Sequence, residues 1–112
     1  MPEHVRKMKA SQLAHVQRLV LDLETLLGNT KRDVTETKKS IARAEKRVSI
    51  FEELSRDLQF GKYYSQYVQL SRKELRSAEK RKERLGLQVR EVAALLERAM
   101  ELAERSSGEG AR

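Results

Sequence analysis

The 112-residue chain has no cysteine and no tryptophan, one proline at position 2, five glycines and five aromatic residues. Each shortage excludes something. Without cysteine there is neither a disulfide framework nor a thiolate metal site, which suits a reducing compartment. With so few aromatics a thick globular core is not expected, and with so little glycine and proline the chain has few places to turn: Gly28, Gly61 and Gly86 are the candidates. The start, "MPEHVRKMKASQ", is basic but has no apolar core of the kind a signal peptide needs. The most apolar window, "LVLDLETLL", carries Asp22 and Glu24 and is far too short to span a bilayer. A cytoplasmic protein without a membrane span is the expectation.

Chemistry is equally scarce. His4 and His15 stand eleven residues apart, about 16 Å along a helix, which is too far to share a metal ion. No phosphate-binding loop and no nucleophile with an accompanying base occurs. The reading is therefore of a protein that is not an enzyme, with no catalytic residues, cofactor, metal or small-molecule substrate.

What the chain does have is charge and period. Charged residues make up 37% and apolar ones 38%, the balance of a long amphipathic helix. Apolar positions advance by alternating steps of three and four through Leu13, Val16, Val20, Leu23, Leu27, Thr30, Val34, Thr37, Ile41, Ala44, Val48 and Phe51. A second series begins in a new phase at Tyr64 and continues through Val68, Ser71, Leu75, Ala78, Lys82, Leu85, Val89, Val92, Leu96, Ala99 and Ala103. Twenty of these 24 positions are apolar, where bulk composition would supply roughly nine. Each series is a heptad seam.

The stretch "LLGNTKRD" tests the first series. Gly28 and Asn29 suit the end of a helix, and Thr30 with Asp33 resembles a capping pair. A turn there would shift the helical phase, yet Leu27, Thr30 and Val34 stay in step, and one glycine inside a helix costs only about 1 kcal/mol. Continuity is favoured. The predicted fold is an all-α antiparallel coiled-coil helical hairpin of two long helices spanning residues 1–105: a helix over about 4–59, a turn at about 60–62 with Gly61 at its centre, a helix over about 63–105, and a disordered tail at 106–112. The alternative is a three-helix bundle broken near Gly28.

Folding at Gly61 opposes seam residues whose numbers sum to about 122 or 123, so large residues mostly meet small ones: Phe51 with Ser71, Val48 with Leu75, Ala44 with Ala78, Leu27 with Leu96. Lys82 falls opposite Ile41 and must turn its amine outward, a weak layer. Beside the seam Arg47 meets Glu74 and Glu52 meets Arg72, while Glu45 meets Glu79.

Four features are candidates for function. Leu19, Leu26, Leu95 and Leu102 form a second apolar ridge beside the seam at the open end, which two helices alone leave uncovered; it fits a protein partner or self-association, or else leucines covered within the chain. Val5 and Met8 extend beyond the partner helix as an amphipathic arm that is either frayed or docked in a groove. All five aromatics crowd the turn, where Tyr63 and Tyr67 suit a contact tip and the competing reading is a plug closing the hairpin, with Leu54 and Leu58 packed alongside. Finally, residues 38–47 and 72–84 sum to +8 against a net charge of +7 for the whole chain. Abreast in the hairpin, they make a basic belt from Lys39, Arg43, Lys46, Arg76, Lys80, Arg81 and Arg84. Such a belt can meet an acidic protein surface, hold nucleic-acid phosphates without reading sequence, or stand solvated.

The heptads "RLVLDLETLL" and "IARAEKRVSIFEEL", the turn, and "YYSQYVQLSRKELRSAEKRKERL" with its aromatic start resemble the central-stalk coiled-coil hairpin of flagellar and type III export ATPases. The early "VQRLV" segment and the chain's size resemble tubulin-folding cofactor A, a three-helix bundle that requires the break at Gly28. The first resemblance implies a stalk-like adaptor docked in a larger assembly, the second a tubulin-cofactor-like chaperone, and neither family is catalytic. The functional expectation is a non-catalytic coiled-coil adaptor or stalk-like protein, with sequence-independent nucleic-acid binding through the belt as the alternative.

Overall fold

The computed structural model describes the backbone of residues 10–110 and the side chains of residues 10–105. Nearly all of it lies in two helices, α1 over Ala10–Leu54 and α2 over Gly61–Gly110, joined by a turn at residues 55–60. Among the described residues there is no strand and no residue with positive φ. The chain is an all-α antiparallel helical hairpin.

The seam forms as the heptads require. All seven buried residues, Thr30, Thr37, Ala44, Val68, Ser71, Val92 and Ala99, are seam positions, and Lys82 alone of the 24 is exposed. These buried residues are small or medium-sized, and no large side chain among the described residues is completely buried. Large seam leucines are half-buried, because a two-helix contact covers one stripe of each helix and leaves its edges wet.

α1 passes through Gly28 without interruption, which corrects the three-helix alternative. Thr30, a candidate cap, is used in the seam instead: it is 3% exposed, and its hydroxyl donates to the Leu26 carbonyl at 2.8 Å. Thr37 repeats the device, donating to the Asp33 carbonyl at 2.8 Å. A threonine bonded back to its own helix satisfies its oxygen locally, and its methyl is free to pack.

Two compact units divide the described residues. One consists of 10–30 and 88–110, the other of Lys31–Leu87. In the second, the cross-helix contacts confirm the predicted offset: Arg47 meets Glu74 at 3.2 Å and Arg72 donates to Glu52 at 2.6 Å. Phe51 stacks on Tyr67 with ring centroids 5.3 Å apart. In the first, half-buried Leu13, Val16, Val20, Leu23 and Leu27 of α1 supply one side of the seam, and Val89, Val92, Leu96, Ala99 and Ala103 of α2 the other.

The reversal is displaced from its predicted position. α1 ends at Leu54 rather than near 59, the turn is 55–60 rather than 60–62, and Gly61 is the first residue of α2 rather than the centre of the turn. Asp57 causes the shift. Its Oδ1 accepts from the Gln59 and Phe60 amides at 2.8 and 2.9 Å, satisfying donors at the start of α2 that have no helical acceptor. Upstream, the Arg56 and Asp57 amides reach back only three residues, to Glu53 and Leu54, and tighten the last turn of α1. Gly61 is needed for closeness, since a Cβ there would lie 2.5 Å from the Ser55 carbonyl oxygen.

The expected end of α2 near 105 and the tail at 106–112 also need correction. Helix continues through Gly110, because no proline follows to stop it and each added residue gains a backbone bond once a helix exists. Residues 111 and 112 lie outside the described residues, as do Val5, Met8 and the arm they define.

Candidate docking surfaces

The leucine ridge stands where the heptads place it, in the unit of residues 10–30 and 88–110. Leu19, Leu26, Leu95 and Leu102 are 49, 42, 55 and 42% exposed. Each is one position off the seam, so packing between α1 and α2 covers only its inner edge. On the same unit Leu27, Ala93, Leu96 and Met100 line a groove of about 340 Å³ together with Glu97, Glu101 and Glu104. Met100 and Leu21, both exposed, were not among the sequence candidates; as lone apolar residues outside the heptad series they carry no periodic signal.

Charge separates the two units sharply. By sequence the unit of Met1–Thr30 and Gln88–Arg112 holds eight Lys and Arg against eight Asp and Glu, net zero, while Lys31–Leu87 hold sixteen Lys and Arg against nine Asp and Glu, a net +7 and the whole of the chain's excess. The groove beside the ridge is itself acidic, with Glu97, Glu101 and Glu104 in its lining.

At the turn end, Phe51, Tyr67, Tyr63 and Tyr64 make a chain of ring contacts, from the Phe51–Tyr67 stack through edge-on pairs at 5.2 and 5.5 Å. The Tyr63 and Tyr67 hydroxyls are hydrogen-bonded at 3.1 Å, and this bond, with the charge coupling to Tyr63, raises the Tyr67 hydroxyl above its ordinary value. Tyr63 and Tyr67 are nevertheless exposed, as are Leu54, Phe60 and the fully projecting Leu58. The expected packing of Leu58 alongside the rings is thus corrected: Asp57 turns the chain before Leu58, and the Leu58 side chain leaves the hairpin.

The basic belt lies wholly within Lys31–Leu87, and its two halves differ. On α1, Lys39 pairs with Glu36 at 3.6 Å and Arg43 donates to the Ser40 hydroxyl at 3.2 Å. On α2, Arg76, Lys80, Arg81 and Arg84 are exposed and have no ion-pair or hydrogen-bond partner among the described residues. Beside them the weak layer is visible as a groove of about 590 Å³ lined by Ile41 and Lys82 with Glu45, Arg76, Glu79, Lys80 and Glu83. Lys82 has turned outward and left Ile41 without an apolar counterpart.

Among the described residues no helix is long and apolar enough to cross a membrane. No family model, curated protein or solved structure matches the chain.

Proposed function

We propose that this chain is a non-catalytic coiled-coil adaptor, stalk-like in build, which docks a helix of a protein partner on the ridge of Leu19, Leu26, Leu95 and Leu102. The observation that supports it is the exposure of four leucines on one unit, at 42 to 55% each. Two helices cover one stripe apiece, and a third helix laid on this ridge would bury much of what remains. The carboxylates of Glu97, Glu101 and Glu104, which line the groove beside the ridge, favour a partner whose apolar stripe is flanked by Lys or Arg.

The test is a titration of the chain with two synthetic amphipathic helices, one of leucine and lysine and one of leucine and glutamate, read by thermal shift and by cross-links mapped to residue. The leucine–lysine helix is expected to bind at residues 19–26 and 95–102, and Leu26→Asp with Leu95→Asp to abolish binding while helicity persists. Equal binding of both peptides, or no loss in the double variant, defeats the proposal. Light scattering of the free chain separates the self-associating case, since a dimer dissolved by Leu26→Asp would replace the heterologous partner with a second copy.

A further inference from the structure

Arg72, Arg76, Lys80 and Arg84 recur at every fourth residue of α2. This spacing puts like charges one turn apart, an arrangement that weakens a helix by a few tenths of a kcal/mol per pair, whereas alternating Glu and Lys would strengthen it. The carboxylates needed for alternation, Glu79 and Glu83, stand in their own row and line the groove beside Ile41 together with Arg76 and Lys80, without coming into ion-pair distance of either. Arg72 is neutralised by Glu52 across the hairpin. The remaining three cations are exposed and unpaired among the described residues.

We propose that Arg76, Lys80 and Arg84 are a binding site for the phosphodiester backbone of a nucleic-acid duplex. Successive members of the ladder are about 6 Å apart along the helix axis, close to the roughly 6.8 Å that two nucleotides of one strand occupy along a duplex. Ser77, Lys80, Glu83 and Arg84 also line a shallow groove of about 590 Å³, so the ladder borders a concave surface with a hydroxyl donor in it. An acidic protein partner fits less well. Protein interfaces have an apolar centre, and no large exposed hydrophobic residue lies on α2 between Leu70 and Leu87. The same lack removes the apolar face with which a peripheral helix enters a lipid surface. Phosphate contact requires neither, and three such contacts position a duplex without reading its sequence. This site is independent of the leucine ridge, since the two share no residue.

The experiment is fluorescence anisotropy with mixed-sequence DNA and RNA duplexes, with polyglutamate and anionic vesicles as separate arms. For three phosphate contacts the slope of log K against log salt is about −2.7, a loss of roughly forty-fold between 50 and 200 mM salt. Arg76→Gln, Lys80→Gln and Arg84→Gln together are expected to abolish binding, and Glu83→Gln to tighten it. The matched α1 variant, Lys39→Gln with Arg43→Gln and Lys46→Gln, is expected to retain most of it, as is Leu26→Asp. No duplex binding at 50 mM salt, equal loss in the α1 and α2 variants, or tighter binding to polyglutamate or vesicles than to duplex overturns the proposal.

Discussion

Replacing Gly28 and Gly86 with alanine is expected to stabilise the hairpin by about 1 kcal/mol each, the usual difference between the two residues in a helix interior. The structure supplies the conditions for the full gain. Both glycines are helical, neither has positive φ, and a Cβ built at either meets no atom within 4 Å. The new methyl therefore causes no strain, and the gain comes from the smaller conformational freedom of the unfolded chain. The positions fall in different units and share no partner, so their effects should add to about 2 kcal/mol. At an unfolding entropy of about 2.1 cal/mol/K per residue, this is a rise in Tm of roughly 8 °C. Thermal and urea denaturation followed by circular dichroism measure it. Gly61→Ala is the control of opposite sign, because its Cβ would sit 2.5 Å from the backbone oxygen of Ser55 and the turn must open to admit it. Were Gly28→Ala to destabilise the chain while Gly61→Ala left it unchanged, the reversal would lie at residue 28, and the seam described above would be wrong.

Three further outcomes are open to measurement. Lys82→Leu restores an apolar counterpart to Ile41 in the groove between them and should raise stability by about 1 kcal/mol, part of what full burial of a leucine provides; unchanged urea midpoints would show that the layer cannot close. Ser71→Ala replaces a buried hydroxyl that has no hydrogen-bond partner among the described residues with a better helix former, and should stabilise by about 1 kcal/mol; a loss would reveal a partner for the hydroxyl. Asp57 titrates below its ordinary 3.8 because the Phe60 and Gln59 amides bond its carboxylate. Its contribution to stability is accordingly present above pH 3.8 and disappears as pH falls through the lowered value, a dependence that Asp57→Asn should remove from an acid titration of unfolding.

Period was enough to read the fold. The step from Leu27 to Thr30 to Val34 excluded a break that Gly28 and Asn29 suggested, because seam phase depends on a dozen layers and a cap on one residue. Arg47 with Glu74 and Glu52 with Arg72 followed from the same arithmetic. The turn was less legible. Gly61 suggests the place where the chain bends, whereas the bend is made by Asp57, whose acceptor oxygen is decisive only when the Gln59 and Phe60 amides come round to it. That closure is a property of the folded turn, and no spacing rule isolates one aspartate among the chain's charged residues. Similarly, the seven cations of the belt look alike in the sequence. That Lys39 and Arg43 on α1 have partners, while Lys46 and the four cations on α2 have none among the described residues, depends on where Glu36 and Ser40 lie in space.

The make-up of the seam bears directly on the proposed adaptor role. Buried positions are filled by alanine, serine, threonine and valine, while leucines remain partly wet at the seam and about half exposed on the ridge. Small residues allow two helices to approach but bury little area, and at roughly 25 cal/mol per Å² small area means small stabilisation. A hairpin built this way keeps its largest apolar side chains where a third helix can reach them. Partner binding should then stabilise the unit of residues 10–30 and 88–110 more than Lys31–Leu87, which hydrogen exchange on the bound chain resolves segment by segment. Slower exchange confined to residues 31–87 would move the docking surface off the leucine ridge and onto the basic unit.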